Sequence, residues 1–308
     1  MSTNSSLPFI EILRCKLEAI VKDVTLSPID KKEVLCVVED FEDGKWRLSH
    51  FMDYIWDNVA ETALNEKEKS ALGNRHRSIL SRSAQNLRII NDETTGGEIA
   101  EILLYAIMKD HYRALPAVPK IFYKQNRNDF AKGADSVHIV VDESGEFSLW
   151  LGEAKFYNSL DASRLAKIVD SVQHTLGTQA IKKENSIILG AGNLDDLHIS
   201  AEVKQKIKDF LNNDISIDKL KPRLHVPILL LHECKITQRA VCLDDEYKSA
   251  IEAKFIDTVN LYFKKQIEQC ATIWNYSQIY FHLIIFPVPK KSDIVTSFIS
   301  EAKRYRHE

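Results

Sequence analysis

Phe147-Ser148-Leu149-Trp150-Leu151-Gly152-Glu153-Ala154-Lys155-Phe156 is the stretch on which the reading of this sequence turns. Side chains alternate along a strand, so Phe147, Leu149, Leu151, Glu153 and Lys155 share one face. Trp150, Ala154 and Phe156 make the other face largely apolar as well, which is the pattern of a central strand covered on both sides. The first face therefore ends in two opposite charges. Charges at the end of a buried strand need partners, because an unpaired buried ion is very costly.

A partner stands just upstream. Gly133-Ala134-Asp135-Ser136-Val137-His138-Ile139-Val140-Val141 opens a second hydrophobic strand with an acid, and Asp142-Glu143-Ser144-Gly145 supplies a turn between the two. The turn lies between residues 141 and 147, so in an antiparallel hairpin the residues whose numbers sum to about 288 face each other. Asp135 and Glu153 meet that condition, and Lys155 lies two residues further along.

Two carboxylates so placed form a hard oxygen site that suits magnesium or manganese, completed by water and phosphate oxygens. Phosphodiester hydrolysis needs such a site: the metal polarises the phosphate and acidifies a water, and a nearby lysine orients that water or offsets developing negative charge. The expected catalytic set is Asp135, Glu153 and Lys155.

Outward from this hairpin, Gly96-Gly97 opens a helix to about residue 109 that is apolar on nearly every face, as in a buried helix. Pro116 and Pro119 break helical structure. Strands are expected at 120–124, 135–141, 147–156, 186–189, 226–231 and 279–286, with a helix at 162–176. Helix, three strands, helix and strand give an α/β fold with a mixed β-sheet core flanked by helices. Residues 1–90 read as a mostly helical N-terminal region and a candidate partner-binding region, with helices at 9–24 and 50–64 and a single strand at 34–38. Residues 91–308 read as the α/β domain, with a motif core at 94–190. The stretches 193–223 and 235–270 read as helical and peripheral to the sheet.

The formal charge of the 308-residue chain is −3, so the protein as a whole is not a strongly basic nucleic-acid binder, and contact with DNA would use local patches or a partner. Five dispersed cysteines without a CxxC pair read as reduced thiols. No stretch reads as a signal peptide or as long enough to span a bilayer, which makes the cytoplasm the expected compartment.

Gly-Ala-Asp135 followed by Glu153-Ala154-Lys155 resembles the PD-(D/E)XK restriction-endonuclease-like nucleases, with Ala134 in place of the usual proline. The order of elements over about 94–190 agrees with that resemblance. It implies a metal-dependent deoxyribonuclease, magnesium or manganese as cofactor, and a further metal-ligating glutamate from the preceding helix. Gly96-Gly97-Glu98-Ile99-Ala100-Glu101 offers two. The common spacing from glycine favours Glu101, Glu98 lies closer to the apolar stripe, and both stay open. Gln173 falls where the family sometimes carries a supporting polar residue. The whole chain also looks similar to the nuclease subunit of Hachiman-type anti-phage systems, which implies a helicase (ATPase) partner, a DNA target and no membrane.

Between residues 109 and 132 six basic residues stand against two acids, with aromatics interleaved. Lys120, Lys124, Arg127 and Lys132 are the nucleic-acid-binding candidates there. Arg75, Arg77, Arg82 and Arg88 form another basic stretch that meets phosphates, a partner or only water. His225 and His232 are an odd number of residues apart on one strand, so they cannot share a face and read as structural, as do His111, His138 and His174. The rival to an enzyme is a non-catalytic adaptor that keeps a nuclease fold to scaffold a partner, and the intact Asp, Glu and Lys set argues against it.

Overall fold

The computed structural model describes residues 7–89, 92–124, 133–190 and 193–307. Its strands are β1 (Ile10–Lys16), β2 (Lys32–Val38), the short pair β3 (Phe41–Glu42) and β4 (Lys45–Trp46), β5 (Leu115–Val118), β6 (Ser136–Val141), β7 (Phe147–Tyr157), β8 (Leu224–Glu233) and β9 (Tyr280–Val288). The helices are α1 (Leu48–Ala63), α2 (Glu66–Leu72), α3 (His76–Asn86), α4 (Asp92–Asp110), α5 (Lys120–Lys124), α6 (Ala162–Thr175) and α7 (Thr178–Gly190). The rest are α8 (Asn193–Asp196), α9 (Ala201–Leu211), α10 (Ile217–Leu220), α11 (Lys235–Arg239), α12 (Asp245–Cys270) and α13 (Lys291–Arg306). Among the described residues no helix is long and apolar enough to cross a membrane.

Seven strands form one mixed sheet in the order β1-β2-β9-β8-β7-β6-β5, with β2, β9, β8 and β7 parallel and the outer strands antiparallel. The runs Ile228-Leu229-Leu230-Leu231 and Leu283-Ile284-Ile285-Phe286 are buried on both faces, which is why they take the centre of the sheet. Helices α6, α7 and α12 pack a core on the face that carries Leu149 and Leu151. The opposite face, with Trp150, Ala154 and Phe156, is covered by α1, α4 and α13.

Several local expectations change. Residues 10–16 form β1 rather than a helix, and both β1 and β2 join the sheet, so the N-terminal region shares its architecture. An edge strand of mixed burial copies a helix's spacing of apolar residues, and pairing along β2 decides between them. Residues 186–189 lie inside α7, whose Ile181, Glu184, Asn185 and Ile188 face inward at helical spacing. Residues 120–124 form a helical turn, and the edge strand lies just before it at Leu115–Val118, where Pro116 is tolerated. The 26-residue α12 is not peripheral, since its Ile251, Phe255, Val259, Tyr262 and Phe263 are buried against the sheet.

The hairpin register matches the expectation: every pair from Ser136 with Gly152 to Val141 with Phe147 sums to 288. Asp142 fixes it, because its Oδ1 accepts from the backbone N–H groups of Ser144 and Glu146 and from the Ser144 hydroxyl, while Gly145 takes a positive φ of 76°. Behind the hairpin, Gly152 lets α4 approach β7. A Cβ there would strike the Ser136 hydroxyl, come within 2.9 Å of Leu104 Cδ2 and within 3.1 Å of the Pro227 ring. Gly152→Ala should therefore cost about 1 to 3 kcal/mol, read as a lower urea midpoint at unchanged slope.

The buried His138 and His232 and the half-buried His225 make the fold acid-sensitive. Burial holds His138 down to about 3, His225 to about 2 with help from His282 and Lys31, and His232 to about 4 with help from Lys254, against the opposing Glu233 carbonyl. Their ordinary value is near 6.5, so the unfolded chain takes up these protons first as pH falls. Stability is full above about 6.5 and is lost below it, by up to about 1.4 kcal/mol per pH unit for each histidine. Glu39 and Glu153, which burial pushes up, take protons in the folded state and offset part of the loss. Melting temperature should fall steeply between pH 6.5 and 4.5, and His138→Gln should flatten that slope.

Candidate active site

From Glu153 to Tyr157, β7 outruns its neighbour β6 and is paired only with β8 on its other side. The open edge is where Asp135 sits. Its N–H donates to the Gly152 carbonyl at 2.8 Å, one residue short of the Glu153 that the 288 register would place opposite it, so the regular ladder ends at Ser136 with Gly152. Its Oδ2 then accepts from the Ala154 N–H at 3.1 Å and from Lys155 Nζ at 3.0 Å. Lys155 also makes an ion pair with Glu153 Oε1. One ammonium thus joins the two carboxylates on the face toward α6 and α12.

Glu153 is nearly buried, and the Ser171 hydroxyl on α6 donates to its Oε1 at 2.5 Å. Burial raises the Glu153 carboxyl above its ordinary range and the Asp135 charge adds to this, with Lys155 and Ser171 opposing. For Lys155 burial pulls downward, but the two carboxylates outweigh it and hold the ammonium well above its usual value. In this environment Lys155 is held as an ammonium.

The helix glutamates lie on the other side of the sheet. A Cβ on Gly96 would touch Phe156 at 3.6 Å, and Leu104 packs over Gly152, so α4 runs antiparallel to β7. Eight helical residues rise about 12 Å and four strand residues about 13 Å, which sets Glu101 roughly level with Ala154. Glu98 is committed to the backbone: both its oxygens accept from the Arg88 N–H at 2.8 Å. Glu101, one turn later, is buried as well. Among the described residues no three His, Cys, Asp or Glu side chains converge closely enough to hold a metal ion.

Gln173 does not serve the triad. It exchanges hydrogen bonds with Gln269 and so ties α6 to α12. Ser171, two residues earlier, is the α6 side chain that reaches Glu153. It lies three residues after the buried Ile168, at the flank of the helix's apolar stripe, and that position is the only trace it leaves in the sequence.

Lys120 is not a surface cation. It is fully buried and its ammonium is held by Glu184 Oε1 at 2.9 Å and Oε2 at 2.7 Å. Glu184 Oε1 also accepts from the Ala134 N–H at 2.9 Å, so this pair grips the backbone directly before Asp135. Glu184 was not foreseen as a site residue. The Lys124 side chain and residues Arg127 and Lys132 lie outside the described residues.

A protein-family model described as HamA matches residues 15–302, nearly the whole chain, including both layers of helices and all three triad residues. No curated protein matches the sequence.

Proposed function

The chain belongs to the HamA family, and we propose that it is the metal-dependent nuclease of a Hachiman-type anti-phage defence system, hydrolysing DNA phosphodiester bonds with Asp135, Glu153 and Lys155. Family membership agrees with a role in such defence. The observation that carries the nuclease reading is the joining of Asp135, Glu153 and one ammonium at the open end of β7.

The donor set fits magnesium, which binds through one or two carboxylates and fills its remaining positions with water and substrate phosphate. Asp135 and Glu153 would hold it, with Glu101 the helix-borne candidate for a further oxygen. When bound, magnesium supplies charge neutralisation at the phosphate and an acidified water. Lys155, kept protonated by the same carboxylates, presents an ammonium to the negative charge that develops on the phosphate oxygens. Ser171 fixes one Glu153 oxygen and leaves the other for the metal. The Glu184 contact to Ala134 holds the Asp135 end of β6 in register.

The mildly acidic chain supports a division of labour in which a helicase partner engages and delivers DNA in the cytoplasm. Purified protein, alone and with its helicase partner, should cut DNA when magnesium is added, and Glu153→Ala should not. Cleavage equal in both would overturn the site. Absence of cleavage with partner, DNA and magnesium all present would favour the non-catalytic adaptor.

A further inference from the structure

The stretch from Arg75 to Asn91 contains four arginines and no acid, in a chain that carries 44 acidic residues. The structure brings it against another basic segment. Arg306 at the end of α13 donates to the Ala84 carbonyl at 2.8 Å and to the Leu87 carbonyl at 2.6 Å, which clamps α13 to the end of α3. Trp56 stacks on Phe298 at 4.9 Å and meets Tyr305 at 5.0 Å, so the floor beneath the junction is rigid.

Two adjoining clefts run along this junction and share Arg77, Ser81 and His307. Arg304 and Tyr305 line one and Arg82 lines the other. Arg75, Arg77, Arg82, Lys303, Arg304 and His307 are all exposed. Arg82 is balanced by Glu68 and Arg304 lies near Glu301 one turn earlier, whereas no acidic partner is described for Arg77. Arg304 lies 5.0 Å over the Tyr305 ring, with its Nη2 donating to the phenol oxygen at 3.2 Å.

We propose that the α3–α13 face is a binding surface for the phosphate backbone of DNA. Exposed basic residues that outnumber the acids beside them match phosphates, and a ring held under a guanidinium suits a base. A protein partner is disfavoured, because such interfaces centre on apolar anchors. Among the described residues the exposed large hydrophobic ones are Ile10, Val24, Val241, Leu261 and Trp274, and none of them is on α3 or α13.

The helix that carries these clefts at its end begins beside the triad's strand. Lys291 at the start of α13 donates its Nζ to the Phe156 carbonyl at 2.9 Å, beside the end of β7. The 16 residues of α13 span about 24 Å, the rise of about seven phosphates of one B-form strand. The proposal rests on the nuclease reading only in naming DNA as the polyanion.

Its test measures binding without cleavage. A fluorescein-labelled single-stranded 20-residue DNA is titrated with the full chain in EDTA, across a salt series, by anisotropy. Arg77→Glu with Arg304→Glu should weaken binding at least tenfold at 100 mM salt and reduce the slope of log affinity against log salt by about 1.4, two contacts at about 0.7 each. Lys264→Glu, on α12 across the sheet, should leave affinity unchanged. Both variants alter exposed side chains, and unchanged melting temperatures would show them folded. Equal affinity of the double variant and wild type overturns the proposal. So does polyglutamate competing as well as unlabelled DNA, which would assign the face to an acidic protein. Because no metal is present, loss of nuclease activity leaves this outcome untouched.

Discussion

Lys155→Ala should lower magnesium-dependent DNA cleavage by at least about a hundredfold, the usual cost of removing one preorganised charge from a reacting centre. It should also change how the folded protein responds to magnesium. In the wild type one ammonium already offsets half the charge of Asp135 and Glu153. Without it the two carboxylates face each other uncompensated, so the variant should melt lower than wild type in EDTA. Magnesium should then raise its melting temperature more than it raises that of the wild type, because ligand binding stabilises the state that holds the site. Glu153→Ala should lose cleavage to a similar degree but gain no such metal response. Calorimetry in EDTA and in 5 to 10 mM magnesium, run beside a cleavage assay, separates these outcomes. A Lys155→Ala protein as active as wild type, or indifferent to magnesium, would sink the assignment.

The second large effect is on stability. Lys120 and Glu184 are each about 1% exposed, and they are joined by two contacts under 3 Å. Lys120→Met removes the cation and leaves a carboxylate buried among apolar groups, a loss of about 3 to 5 kcal/mol. Adding Glu184→Gln removes the stranded charge while keeping an oxygen to accept from the Ala134 N–H. The double variant should therefore recover most of the loss in a urea titration. The single variant should also cleave less than its remaining folded fraction allows, since Glu184 positions the residues before Asp135. If Lys120→Met unfolds at the wild-type midpoint, the pair does not support the fold.

The hairpin was legible because its information is local. Alternation along 147–156, a turn with Asp142 and Gly145, and a count of residues define the register, which the structure repeats from Ser136 with Gly152 to Val141 with Phe147; at Asp135, expected opposite Glu153, the ladder ends and the N–H turns to the Gly152 carbonyl. The central strands were legible too, since continuous apolar runs bounded by polar residues have few other uses. The misreadings fell on short or marginal segments. Residues 10–16 and 186–189 carry apolar residues that suit a helix or a strand, and only the neighbour decides: β2 for the first, the inward face of α7 for the second. Only the resemblance points to Gln173, whereas Ser171, two positions away, is the α6 residue whose hydroxyl meets Glu153.

The sequence by itself determined the α/β class, the central strand, the hairpin register, and hence the meeting of Asp135, Glu153 and Lys155. These depend on residues within about twenty positions of one another, where alternation and turn length leave one arrangement. Tertiary structure alone decided that Lys120 is buried on Glu184, 64 residues away, that Glu98 is bound to the Arg88 N–H and Glu101 stands level with Ala154, and that α3 and α13 join their arginines into one face. Each of these depends on which elements pack together, and packing follows from the burial of apolar surface summed over the whole chain, a quantity that no local stretch contains.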